Sequence, residues 1–225
     1  MKQSSALALV GLVILILAGM HLLALLLDGR SWQLERLFNL QREGNIPTWV
    51  SSVMFFMAAH AAFVTAGNSA GRDIGQAWFL TAGALAFMSC DEVVMFHENF
   101  SGVIERNFMP AWFLDALHRT SWPVLFGPFI LAFVVWVFPE LKRSFDSNGS
   151  GAICALSGLL LFFGGAVGVE MLTNLITEDT PMFWRASRLM AEELMELVGV
   201  GVLMVGLTSH ANVLRLSHVA PGKEA

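Results

Sequence analysis

Acidic residues lie within stretches of this chain that are otherwise apolar enough to cross a membrane. An ionised group in hydrocarbon is unfavourable unless it is paired, protonated or bound to a cation, so such residues usually mark a functional site or an ion-pair network. They are the first candidates for chemistry: Asp91, Glu92, Glu98, Glu170, Glu192, Glu193 and Glu196.

The types and spacing of these residues suit a metal centre. Successive residues of a helix turn by about 100°, so Glu192, Glu193 and Glu196 share one helix face. Carboxylates together with the imidazole of His97 form an oxygen-rich donor set that suits Fe, Mn or Zn. Glu192 is the predicted catalytic carboxylate, which would move protons. The predicted metal ligands are Asp91, Glu92, His97, Glu98, Glu170, Glu193 and Glu196.

Negative charge exceeds the positive charge that the sequence places nearby. At most Arg106, Arg185 and Arg188 lie close to the acids, and shared protons or a bound metal would relieve the excess. The pattern departs from di-metal carboxylate bundles, because Glu193-x-x-Glu196 and an adjacent His97-Glu98 pair replace their Glu-x-x-His motif. The alternative is purely structural, with Arg185 and Arg188 paired to acids such as Glu192.

Composition indicates a membrane protein. The chain has 225 residues, of which 56% are hydrophobic and 14% charged, and its mean hydropathy of +0.64 is too high for an ordinary soluble domain. Because a helix satisfies its own backbone in lipid, the apolar runs predict an all-α polytopic bundle of about six transmembrane helices, forming one domain over residues 1–225. The predicted spans are 6–27, 48–67, 77–100, 123–138, 151–175 and 184–211.

The predicted connections differ between the two faces of the bundle. The first, third and fifth are long and amphipathic, with aromatic residues such as Trp32 and Trp112, which predicts interfacial helices on a face that we call side B. The second and fourth are short polar turns on the opposite face, side A. Helix rise and chain direction place the acids of the third, fifth and sixth spans in the half of the bilayer nearest side B. We therefore expect one acidic layer.

Two segments carry a resemblance to other proteins. Ser89-Cys-Asp-Glu-Val-Val-Met-Phe-His-Glu98 and Glu192-Glu-Leu-Met-Glu-Leu-Val-Gly199 are similar to a pattern in uncharacterised bacterial multi-pass membrane proteins. The resemblance covers these two helices. It implies a bacterial membrane protein in which the two motifs act together, and it implies no particular activity.

The sequence leaves three functions open. The leading hypothesis is a bacterial inner-membrane metalloprotein that acts, as an oxidase or a hydrolase, on a lipophilic substrate reaching the metal from side B. The second is a proton- or cation-coupled carrier or channel subunit, and the third is an accessory subunit of a larger membrane complex. Membrane lipids are expected partners in each case. A net charge of −5 without a basic patch gives no reason to expect nucleic acid.

Overall fold

The protein is an all-α helical bundle, as its sequence predicts. The computed structural model describes residues 2–27, 31–110, 122–146, 148–172 and 181–219. Within these ranges the chain is helical and forms no strand, which confirms the predicted fold class. Six of the helical segments are long and apolar enough to cross a membrane.

The described helices are of two kinds, membrane spans and shorter elements. Their bounds are α1 (Gln3–Leu26), α2 (Trp32–Phe38), α3 (Ile46–Gly67), α4 (Arg72–Val94), α5 (Phe96–Phe108), α6 (Trp122–Phe145), α7 (Gly149–Phe163), the π-helical segment (Gly164–Val169), α8 (Glu170–Leu172) and α9 (Met182–Val219). The spans are α1, α3, α4, α6, α7 with its π-helical continuation, and α9, whereas α2, α5 and α8 are shorter.

The last helix, α9, forms the centre of the bundle. It packs against α7, α3 and α1, and 61% of the residues in its most apolar stretch are buried. Val200 of α9 is completely buried, and nearby Phe55 of α3 packs edge-on against Phe162 of α7 with ring centroids 5.2 Å apart. Because lipid tails are as apolar as these side chains, close packing rather than water exclusion must hold the helices together.

Small residues bring α7 and α9 into backbone contact. A Cβ atom on Gly158 would lie 2.3 Å from the backbone nitrogen of Leu203, and one on Gly199 would lie 2.4 Å from that of Phe162. A larger side chain at either position would push the two helices apart. The glycine contacts therefore fix the position of α9 against α7, and with it the height of the acidic residues on α9.

The chain turns sharply between α4 and α5. Met95 has a left-handed φ of 54°, which is uncommon for a residue other than glycine, and it separates Val94 from the first residue of α5. The sequence predicts a single span over residues 77–100, whereas α4 begins at Arg72 and ends at Val94. His97 and Glu98 consequently belong to a second helix, α5, which begins at Phe96 just after the last turn of α4 with its acidic residues Asp91 and Glu92.

A histidine of α1 holds the first connection against the bundle. His21 is completely buried, and its Nδ1 accepts a hydrogen bond of 3.2 Å from the backbone N–H of Leu40. Leu40 is itself buried in the hydrophobic core. The connection between α2 and α3 therefore folds back over the side B end of the bundle, and its polar residues come close to the acids of α4.

Candidate functional site

A cavity of about 550 Å³ lies between the helices at the acidic layer. Its volume falls in the range of roughly 300–1,000 Å³ that is typical of ligand pockets. One end carries charged and polar side chains, and the remaining wall is apolar and rich in phenylalanine. We call it the acidic cavity, after its acidic side chains Glu43, Asp91, Glu92, Glu192, Glu193 and Glu196.

The cavity brings together residues that are far apart in the sequence. Asp91 and Glu92 come from α4, His97 comes from α5, and α9 contributes Glu192, Glu193 and Glu196. These are six of the eight residues singled out from the sequence. The remaining two, Glu98 and Glu170, lie in described helices, but their side chains fall outside the described part of the structure.

Asp91 and His97 form a close pair across the turn at Met95. One carboxylate oxygen of Asp91 accepts the backbone N–H of His97 at 2.9 Å, and the other lies 2.5 Å from the ring Nδ1. The first contact satisfies an N–H group in the opening turn of α5, where a helix has no internal acceptor. The second orients the imidazole. Asp91 was predicted as a metal ligand, and this geometry gives it the additional task of positioning His97.

Glu192 is buried and paired with an arginine of its own helix. Nη1 of Arg188 donates a hydrogen bond of 2.8 Å to Oε2 of Glu192, one turn away, and the Glu192 residue is only 7% exposed. Glu192 is the carboxylate that the sequence predicts to move protons. The structure instead engages it in an ion pair, as the purely structural alternative expects. Its proton-transfer role stays a prediction.

Serines link α3 to α4 beside the acids. Ser52 and Ser89 exchange reciprocal hydrogen bonds, each hydroxyl donating to the other residue's carbonyl oxygen, at 2.7 and 2.8 Å. Ser51, one residue earlier on α3, places its hydroxyl beside the carboxylate of Glu92. Interhelical hydrogen bonds of this kind are among the main interactions that hold helices together in lipid. They hold α3 and α4 together next to Glu92.

The π-helical segment Gly164–Val169 packs against the acidic turn of α9. A Cβ atom on Gly165 would lie 2.9 Å from both the backbone oxygen of Glu192 and Cγ of Glu196. The sequence predicts an ordinary helical span over residues 151–175 that carries Glu170, and it does not predict the π-helical geometry. Such wide turns within helices are frequent at functional sites.

Two parts of the cavity wall could not be predicted from the sequence. Glu43 lies in the first connection, and no motif surrounds it; it lines the cavity because His21 draws that connection inward. The apolar wall comes largely from α6, whose lining residues recur at helical spacing: Phe126, Phe129, Ile130, Phe133, Val134, Val137, Phe138 and Leu141. Hydrophobic periodicity does not distinguish this face of α6, because the other faces of the helix are apolar too.

The described side chains do not form a ready-made metal site. No group of three or more His, Cys, Asp or Glu residues in the described ranges is arranged to hold a metal ion. A divalent ion at the acidic cavity would therefore need a side chain rearrangement, or ligands from Glu98 or Glu170. His97 fits such a role, since metal-binding histidines usually donate their other ring N–H to a carboxylate, as the Asp91 contact allows.

One comparison with known proteins gives a match. The model of a family described as a domain of unknown function, DUF8692, matches residues 6–211, and the chain belongs to this family. No curated protein and no solved structure matches the chain. The matched region contains all six membrane spans apart from their outermost residues, and every residue of the acidic cavity.

Proposed function

We propose that this member of the DUF8692 family binds a lipophilic substrate in the acidic cavity and that a divalent metal ion, held by carboxylates and His97, acts on it there. The observation that carries the proposal is the meeting of acids from α4 and α9 with His97 of α5 at one cavity of ligand size. Fe, Mn and Zn are the candidate metals, and the reaction would be an oxidation or a hydrolysis. The bacterial inner membrane is the proposed location.

The charge of the cavity supports a bound cation. Six acidic residues line it, and in the described part of the chain Arg42 is the one lysine or arginine on its wall. Arg42 lies 3.3 Å from Glu35, outside the cavity, and Arg188 pairs with Glu192. Glu43 and Asp91 lie near enough to Glu92 for their negative charges to act on it, and a divalent ion in the cavity would offset this repulsion.

Elemental analysis of purified protein tests the metal. We expect about one or two equivalents of Fe, Mn or Zn in the wild-type protein, in keeping with helical carboxylate centres. Glu193→Gln and His97→Ala should each lose the metal while the protein stays folded. Glu105→Gln, on α5 but not on the cavity wall, is the matched control and should keep it. Absence of metal from folded wild-type protein, even after reconstitution, would refute the metal centre.

A second function, proton- or cation-coupled transport, is favoured by one observation. The two irregular helical regions, at Met95 and at Gly164–Val169, both adjoin acids of the cavity. Discontinuous helices beside ionisable residues are typical of the coupling sites of secondary transporters. In this case the same carboxylates would bind and release ions as access alternates between the two sides.

Flux measurements in liposomes separate transport from the metal centre. If the protein is a carrier, Glu193→Gln should abolish pH-driven cation or proton flux, and Glu105→Gln should leave the flux unchanged. Wild-type protein that binds metal but catalyses no flux would refute transport. Flux that survives in Glu193→Gln would exclude this residue from the coupling site.

A further inference from the structure

Helix α6 packs loosely against the bundle. Only 6% of the residues in its most apolar stretch are buried, against 61% for α9. Phe129 is 75% exposed although it lines the acidic cavity. Near side B the helix touches α5 through Phe126 and Phe100, whose ring centroids are 6.0 Å apart. Most of α6 therefore stands between the cavity and the surrounding lipid.

The side A end of α6 is firmly held. The indole N–H of Trp78 donates to Oγ of Ser144 at 2.9 Å, and the same oxygen lies 2.9 Å from Nε2 of His210. Phe145 adds ring contacts with both Trp78 and His210, with centroids 5.4 and 4.2 Å apart. These residues come from α4 and α9, so the last turn of α6 is fixed to two other helices.

Proline residues separate the fixed end from the loosely packed part. Pro139 lies inside α6, five residues before Ser144, and Pro128 lies near the side B end. A proline within a helix removes one backbone hydrogen bond and forces a kink, which is where helices most often bend. The part of α6 before Pro139 can therefore swing while Ser144 and Phe145 stay in place.

The apolar part of the cavity is elongated along α6. Its lining residues run from Phe126 to Leu141, which spans about 22 Å at 1.5 Å per residue. The acids lie at the side B end of α4 and the first half of α9, and the lining of α6 extends from there toward side A. This shape suits one extended hydrocarbon chain with a polar head at the acids. It suits a compact polar substrate poorly.

We infer that the acidic cavity binds a single-chain amphiphile, which enters sideways from the membrane by displacement of α6. The head of the amphiphile is cationic or donates hydrogen bonds, and its chain lies along the phenylalanine-rich face of α6. The inference rests on the proposed function in that it uses the same cavity, and it names the substrate class. It does not require the metal.

Binding of hexadecylamine, hexadecanol and palmitate to nanodisc-held protein tests the substrate class. Native mass spectrometry should show one bound molecule, with occupancy falling in the order amine, alcohol and carboxylate. Ala84→Trp places an indole in the cavity and should lower occupancy by roughly tenfold, because the indole takes up volume that the bound chain needs. Ala86→Trp, which is exposed two residues further on, should bind as the wild type does.

A second matched pair guards against a variant that fails to fold. Val134→Trp places an indole in the cavity from α6. Val135→Trp is its control, because Val135 is 65% exposed and does not line the cavity. Absence of saturable binding of all three probes to folded wild-type protein would overturn the inference. Equal occupancy in cavity and control variants would overturn it too. Metal content, measured on the same samples, reports separately on the proposed function.

Cross-linking tests the sideways route. In a Cys90→Ser background, cysteines at Phe100 and Phe126 would be joined by a short bis-methanethiosulfonate reagent, which fixes the side B end of α6 to α5. We expect hexadecylamine association to slow by roughly tenfold or more and to recover on reduction, since binding that needs a conformational change is slow. Cysteines at Phe63 and Phe79, joined in the same way, are the control, as their rings lie 6.3 Å apart away from the cavity. An unchanged rate in the first cross-linked protein would overturn the route.

Discussion

Asp91 holds His97 through two separate atoms, across the turn that divides α4 from α5. The backbone N–H and the ring Nδ1 of His97 each meet a different oxygen of the same carboxylate, at 2.9 and 2.5 Å. The left-handed conformation of Met95 makes this possible, because it turns the chain back toward Asp91. The direction of the imidazole is thus tied to the start of a helix. A change at Asp91 should affect both.

Asp91→Asn tests the positioning of His97. The side-chain oxygen of the asparagine can still accept the backbone N–H of His97, but the negative charge beside the imidazole is lost. If His97 binds a metal, we expect metal affinity to fall about 10- to 100-fold, as for other residues that orient ligating histidines. Titration with Zn²⁺ under competition by a chelator measures this change. Asp73→Asn, at the opposite end of α4, should leave the affinity unaltered.

The same variant also separates orientation from direct ligation. A direct ligand lost from the site should abolish stoichiometric metal, as predicted for Glu193→Gln, whereas an orienting residue weakens binding without removing it. An affinity that does not change in Asp91→Asn would contradict both roles. A spectrum of Co²⁺-substituted protein would show whether nitrogen ligation survives.

Stability should depend strongly on the pair formed by Arg188 and Glu192. Both side chains are largely buried, and Arg188→Met would leave the Glu192 carboxylate without this cation in a poorly solvating medium. We expect a loss of about 3–5 kcal/mol in the free energy of unfolding. Unfolding in mixed detergent micelles, followed by circular dichroism, measures it.

The double variant Arg188→Met with Glu192→Gln should recover much of that loss, because the buried negative charge is removed together with Arg188. Equal destabilisation of the single and double variants would show that Arg188 acts through packing alone. If Glu192 instead serves proton transfer, the double variant will be stable but inactive. The two readouts therefore distinguish a structural pair from a functional one.

The sequence was sufficient to predict the fold, because hydropathy alone limits a chain of this kind to a helical bundle. It also allowed the depth of the acids to be derived, since chain direction and helix rise fix the level of Asp91 and Glu193 without any knowledge of packing. The turn at Met95 could not be derived in the same way. Neither glycine nor proline occurs in Val-Val-Met-Phe, and the turn depends on the hydrogen bond that Asp91 accepts from the backbone N–H of His97.

Other features of the site depend on tertiary contacts that leave no local pattern. Glu43 reaches the cavity because His21, twenty-two residues earlier, binds the backbone at Leu40. Similarly, Gly164 and Gly165 both approach α9, with Gly165 the closer of the two, whereas Gly168 has no atoms near its Cβ position. A π-helical turn departs from the ordinary helical repeat of 3.6 residues, so helix periodicity alone does not show which glycines of this segment face α9.

His21 should contribute to stability through its bond to the first connection. His21→Leu replaces the imidazole with an apolar side chain of similar size and so removes the acceptor for the buried N–H of Leu40. An unsatisfied buried backbone group costs about 1–3 kcal/mol, and we expect a loss of this size. His60→Leu is the control, since His60 is exposed on α3. Equal stability of His21→Leu and wild type would mean that the connection is held by other contacts.

Gly165→Ala should disturb the acidic site without dismantling the bundle. The added methyl group would lie 2.9 Å from Cγ of Glu196 and from the backbone oxygen of Glu192, so α9 must shift or the π-helical turn must rearrange. We expect a loss of about 1–3 kcal/mol, typical of overpacking, together with weaker binding of metal or amphiphile. Gly168→Ala, three residues away and facing open space, should be stable and fully competent in binding.

Isothermal titration and detergent unfolding of the two variants in parallel measure both effects. If Gly165→Ala loses stability but binds its ligands as the wild type does, the close contact serves packing alone. If the two variants behave identically, the contact between the π-helical segment and the acidic turn of α9 is not required at all.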